Sequence, residues 1–230
     1  MRLNKNLFFL LLISLSGCKS PILDNVIPPK DVYLNEEGNE ITRKTFRERL
    51  GNEELTEWHF KNKEGARAVQ IVKPLYAPLI VNYPAFKRKL EAMTGKEFKY
   101  PIFLIGYEYE NDLCTGNPKI WNKRTISERK DFTTSQKRKL EKKNPHLIVL
   151  YFFEEGIALS NSPNSEKEYF FKDKNNFLRE TLFLNPSFCG SFALVKPNGQ
   201  TLVRNGETSA AYIEQHLKSE NWELFFPSSE

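Results

Sequence analysis

Two apolar runs limit the choice of fold more than anything else in this chain. Residues 101–109 read PIFLIGYEY and residues 146–153 read HLIVLYFF. Both have strand length, are rich in β-branched and aromatic residues, and are too continuous to leave one face in water. Ile126 to Lys143, between them, is basic and helix-like and is ended by Asn144-Pro145. Two buried strands joined through a helix predict a parallel pair with a right-handed crossover, inside a sheet covered on both faces.

The flanking segments extend that sheet. Ala66 to Val72 is a strand candidate. Asn82 to Thr94 predicts a helix, with Pro84 in its first turn, Tyr83, Phe86, Leu90 and Met93 on one face, and Gly95 to stop it. Phe177 to Leu184 reads as a short helix or strand. Phe192 to Lys196 and Gln200 to Arg204 are two β runs joined by Pro197-Asn198-Gly199, a turn signal. Thr208 is placed to cap a last helix that carries Ala210, Ile213 and Leu217 inward. From residue 66 the order is β-α-β-α-β-loop-β-β-α, which predicts an α/β three-layer sandwich with a mixed central sheet. Aromatic residues at 13% of the chain supply ample core material. Upstream, residues 32–42 read as a hairpin around Glu36-Glu37-Gly38-Asn39, and Thr42 to Gly51 as a short helix. Residues 32–230 are therefore expected to form one domain with a hairpin-and-helix extension at its front.

The amino terminus is an address. Residues 1–18 read MRLNKNLFFLLLISLSGC, with Arg2 and Lys5 before an apolar stretch from Leu7 to Ile13. That is the pattern of a secretory signal, too short for a stable membrane span. Leu15-Ser16-Gly17-Cys18 resembles the lipobox of bacterial lipoproteins. The resemblance implies a signal peptide over residues 1–17 and acylation (diacylglyceryl, then commonly palmitate) at Cys18. Membrane lipid, reached through acylated Cys18, is then the first expected partner, and two or three acyl chains suffice for stable anchoring. Residues 18–31, with three prolines and little bulk, read as a tether. Lys19, in place of an aspartate, points to the outer membrane, and the expected location is the cell envelope, facing the periplasm.

Several chemistries are excluded at this level. The three histidines, His59, His146 and His216, are far apart, and neither they nor the three cysteines have metal-site spacing. No Gly-rich phosphate loop, Gly-x-Ser-x-Gly elbow or His-Glu-x-x-His motif occurs, so neither a metal nor another cofactor is expected. Residues 119–143 hold ten Lys or Arg against three Asp or Glu. Such a run is the solvated face of a helix, or it meets an anionic lipid head group or glycan. Export argues against nucleic acid. Glu108 and Glu110 alternate on one strand face, and Glu154-Glu155 follow the next strand. Each pair either faces solvent or is available as acid or base.

The order of elements from residue 66 to residue 218 resembles a thioredoxin-like domain. Gly190-Ser191-Phe192-Ala193-Leu194-Val195-Lys196-Pro197-Asn198-Gly199, followed by Gln200 to Gly206 and a terminal helix, is similar to the membrane-anchored thiol-disulfide branch of that family. The family's Cys-x-x-Cys is broken here. In Asp112-Leu113-Cys114-Thr115-Gly116-Asn117, Cys114 matches the first cysteine and Asn117 stands where the second belongs. Gly190 stands where the family has a cis-proline. The resemblance places Cys189 opposite Cys114. The two are then a structural disulfide, two inert thiols, or a redox pair in which Cys114 attacks from a helix amino terminus and Cys189 resolves. Two functions follow: a non-catalytic envelope protein whose fold is a binding or structural platform for an envelope protein or anionic glycan, or a thiol-disulfide oxidoreductase.

Overall fold

A computed structural model describes residues 31–52, 54–116 and 119–227. The expected signal peptide, the lipidation site Cys18 and the tether up to residue 30 lie outside the described residues. Among the described residues no helix is long and apolar enough to cross a membrane.

The chain first builds a small sheet. Strands β1 (Val32–Leu34) and β2 (Glu40–Ile41) form the expected hairpin, and α1 (Arg43–Leu50) follows, with Thr42 Oγ1 accepting the Thr45 N–H as its cap. Strands β3 (Thr56–Lys61) and β4 (Arg67–Val72) complete a four-stranded sheet of order β2-β1-β4-β3. Phe46, Val69 and Ile71 form its own small core. The strand expected at residues 66–72 therefore exists, but it belongs to this sheet and not to the central one.

The central sheet begins at β5 (Tyr76–Ile80) and continues through α2 (Tyr83–Thr94), β6 (Ile102–Glu108), β7 (Ile120–Trp121), α3 (Lys123–Lys143) and β8 (Leu147–Phe153). After β9 (Ala158–Leu159), which pairs with β7, come β10 (Phe170–Lys172), α4 (Phe177–Thr181), β11 (Ser191–Val195), β12 (Gln200–Asn205), α5 (Ala210–Glu214) and α6 (Ser219–Trp222). The six-stranded order is β10-β8-β6-β11-β12-β5. β6 and β8 run parallel, Ile102 opposite Leu147, and β11 is antiparallel to both β6 and β12. A parallel pair linked through α3, then an antiparallel hairpin and a helix, gives the expected α/β sandwich with a mixed central sheet. The cap of α5 is Ser209, whose Oγ accepts the Tyr212 N–H, one residue beyond the expected Thr208.

The two faces are set by alternation along β6. Phe103 and Tyr107 point toward α2 and α4: Phe86 packs on Phe103 and on Phe177. Glu108 points toward α3, whose Arg129 it meets at 2.8 Å. Gly106 lies on the α3 face for a steric reason. A Cβ there would stand 2.6 Å from the Tyr151 ring on β8, so the missing side chain is the space that ring occupies.

Candidate functional site

The site is made where two loops leave one end of the central sheet. Ser191 at the start of β11 pairs with Tyr107 near the end of β6. The loop leaving β6 and the loop entering β11 are thereby held side by side. Cys114 on the first and Cys189 on the second form a disulfide with a Cα separation of 5.0 Å. Cys114 is exposed and Cys189 is half-buried.

Beneath the bridge sits Asp112, 2% exposed. Its Oδ1 accepts the Cys114 N–H and its Oδ2 the Gly190 N–H, each at 2.9 Å, so one carboxylate ties both cysteine loops together. Burial pushes this carboxyl up, and the backbone N–H groups of Cys114, Cys189 and Gly190 oppose the shift. Gly190 has φ +80°, and a Cβ on it would lie 2.5 Å from the Tyr107 carbonyl oxygen. Position 190 must be glycine, because backbone passes directly over it.

The N-terminal sheet closes one side. The carbonyls of Glu57 and His59 on β3 accept the N–H groups of Phe188 and Leu113 at 2.8 and 3.3 Å. These donors each precede a bridge cysteine. The His59 ring stacks on Phe188 with centroids 3.9 Å apart. Arg67 donates to its Nδ1 at 2.9 Å, and Glu57 Oε1 lies 3.0 Å from its Nε2. Tyr109 continues the wall, edge-on to Trp58, donating to the Asn185 carbonyl and sharing a hydrogen bond with Ser191 Oγ.

The far side belongs to Glu108, which is 7% exposed and not solvent-facing. Burial pushes its carboxyl up to about 7, while the Arg129 guanidinium pulls the other way. Glu110 behaves differently: its carboxylate reaches Lys119 at 3.2 Å and its N–H donates to Glu154. Glu154 also meets Arg179 at 3.3 Å, so it too is engaged in structure.

The structure corrects one part of the redox expectation. Cys114 does not stand at a helix amino terminus. Helix α3 starts at Lys123, and β7 intervenes between them. The partial positive charge of a helix end is lost beyond its first turn, so α3 does not stabilise a thiolate at Cys114. The Asp112 carboxylate, which accepts the Cys114 N–H, adds negative charge beside the bridge and so disfavours one. Among the described residues no group of three or more His, Cys, Asp or Glu is arranged to hold a metal.

Sequence reasoning found the two cysteines and missed the parts that surround them. Asp112 had a usable signal, an Asp two residues before a turn residue, which is the spacing of an Asx turn. His59 had none, because its role comes from β3 docking on loops distant in sequence.

No family model and no curated protein matches the chain. Among solved structures, the crystal structure of the pneumococcal exposed lipoprotein thioredoxin from Streptococcus pneumoniae strain TIGR4 is similar at 13% identity, with a TM-score of 0.34. The match covers 70% of this chain and 98% of that one.

Proposed function

We propose that this chain is a lipid-anchored cell-envelope protein whose thioredoxin-like domain is a binding platform. In this reading the Cys114–Cys189 bridge is a staple, not a catalytic dithiol. The observation that carries the reading is the placement of the bridge over the buried Asp112 carboxylate, which holds both loops by their backbone and opposes thiolate formation. The lipobox-like Leu15-Ser16-Gly17-Cys18 supports anchoring to membrane lipid through acylated Cys18, at the outer membrane facing the periplasm. Partners are envelope components, protein or anionic glycan. The fold itself licenses no activity.

One observation favours the enzyme reading: Cys114 is exposed while Cys189 is half-buried. An external thiolate would reach the Cys114 sulfur first. Attack there forms a mixed disulfide, breaks the bridge and releases Cys189 as the leaving thiolate. A second external thiol then resolves the mixed disulfide, leaving two protein thiols and an oxidised external pair.

Thiol alkylation of the full chain separates the two. It is read by intact mass, native and unfolded, with and without mild reductant. A staple gives no free thiol at Cys114 or Cys189 before unfolding and resists mild reductant while folded. Ready reduction of the folded protein, with fast labelling of Cys114 near neutral pH, would replace the platform reading by the oxidoreductase one.

A further inference from the structure

Away from the bridge, a groove of about 830 Å³ lies between α3 and the loop before β10. Its lining mixes the apolar surface of Ile126, Tyr169 and the lysine stems with hydroxyls, and it contains five cations and two carboxylates. Two cations are already neutralised: Lys130 pairs with Glu168 at 2.6 Å, and Lys137 pairs with Glu141. Lys123, Arg138 and Lys167 have no ion-pair partner among the described residues, and all three are exposed. The surplus positive charge of the groove therefore resides in these three.

The walls are preformed. Lys96 Nζ donates to the Glu166 and Glu168 carbonyls, fixing the loop from behind. Lys130 lies over the Tyr169 and Phe170 rings, and Thr134 Oγ1 shares a hydrogen bond with the Tyr169 hydroxyl. The spacing of the charges decides the size of the occupant. Lys123 and Arg138 are fifteen residues apart on one helix, about 22 Å at 1.5 Å per residue, too far to converge on one small anion. Hydroxyls share the lining with these charges: Ser127 on the helix, Ser160, Ser162 and Ser165 on the loop. Nucleic acid would need open aromatic faces for stacking, and Tyr169 is buried at 4% exposure. Neutral hydrogen-bonding groups flanked by separated cations match a sugar polymer bearing carboxylate or phosphate groups.

We propose that this groove binds an extended anionic saccharide, with Lys123, Arg138 and Lys167 taking its charges and the serine hydroxyls its hydroxyl groups. The inference rests on the platform reading and names the class of partner. It concerns a different face of the molecule from the disulfide, so thiol state does not enter its test.

The test titrates the full chain, in neutral detergent, with labelled polygalacturonate, with neutral dextran as the uncharged comparison. Binding is expected for the charged polymer alone and should weaken as salt rises. The triple variant Lys123→Gln, Arg138→Gln, Lys167→Gln should lose about tenfold in affinity. A charge-matched variant outside the groove, Lys139→Gln, Lys142→Gln, Lys172→Gln, should stay within about twofold. Equal losses in the two variants, no binding at low salt, or displacement by inorganic phosphate at equal charge concentration would each overturn the proposal. Such a failure leaves the alkylation result standing, so the groove and the staple fall separately.

Discussion

At the scale of the residue, Asp112 does more for the site than either cysteine. Its two oxygens satisfy N–H groups on the two loops that carry the bridge. Replacing it by alanine orphans the buried Gly190 N–H and the part-buried Cys114 N–H. Asp112→Ala should therefore lower the unfolding free energy by about 2–4 kcal/mol with the bridge intact, measured by urea denaturation. Asp112→Asn keeps one acceptor oxygen and should lose about half as much. A loss below about 0.5 kcal/mol for the alanine variant would mean the carboxylate holds nothing. Gly190→Ala tests the neighbouring constraint. With φ at +80° and a carbonyl oxygen 2.5 Å from the new Cβ, the backbone must move, and more than about 1 kcal/mol should be lost. The cysteines were legible from the sequence because chemistry marks them, and Gly190 was legible as a departure from the resembled pattern. The role of Asp112 is not legible in the sequence, since its effect exists only once Gly190 lies across from it.

At the scale of the element, the strongly patterned segments were readable and the edges were not. The runs at 101–109 and 146–153 became β6 and β8, because continuous apolar sequence of strand length has few other uses. Strand β5 escaped notice because Pro78 interrupts it. That proline is tolerated only because β5 is the outermost strand, paired on one side with β12. Strand β3 was hidden in TEWHFK, a sequence without clean alternation, since one of its edges pairs with β4 while the other docks on the cysteine loops. This docking predicts a mechanical link between bridge and sheet. Reducing the bridge restores to the unfolded chain the freedom of a loop spanning 75 residues, about 4 kcal/mol in the entropic account. In the folded chain the loss should appear first where β3 meets the loops. Hydrogen exchange of the Cys114→Ser, Cys189→Ser variant should show faster exchange at the Leu113 and Phe188 amides and in β3, with β6 and β8 unchanged. Uniform acceleration across both sheets would instead make the bridge a global clamp.

At the scale of the whole molecule, one buried acid on the α3 face should be visible in the pH dependence of stability. Glu108 has an ordinary value of 4.5 and is pushed up to about 7 in the fold. Between these limits the folded chain holds a proton that the unfolded chain has released. Stability from this group is therefore complete below about pH 4.5 and is lost as pH rises toward 7, by up to about 3 kcal/mol. Asp112 and Asp173, both pushed up by burial, act in the same direction from their lower ordinary values. His216 acts oppositely, because burial lowers it and the folded chain resists its protonation as pH falls below 6.5. A single curve mixes these contributions, and a difference between two curves does not. Glu108→Gln removes the titration while keeping a side chain of the same size beside Arg129, whose side chain is 37% exposed and can turn to water. Urea midpoints measured from about pH 4.5 to 7.5 should fall for the parent chain and stay flatter for the variant, with the two closest at the acid end and separating most above about pH 7. Parallel curves would mean that Arg129 already holds Glu108 ionised throughout, and that the ion pair outweighs the burial that surrounds it.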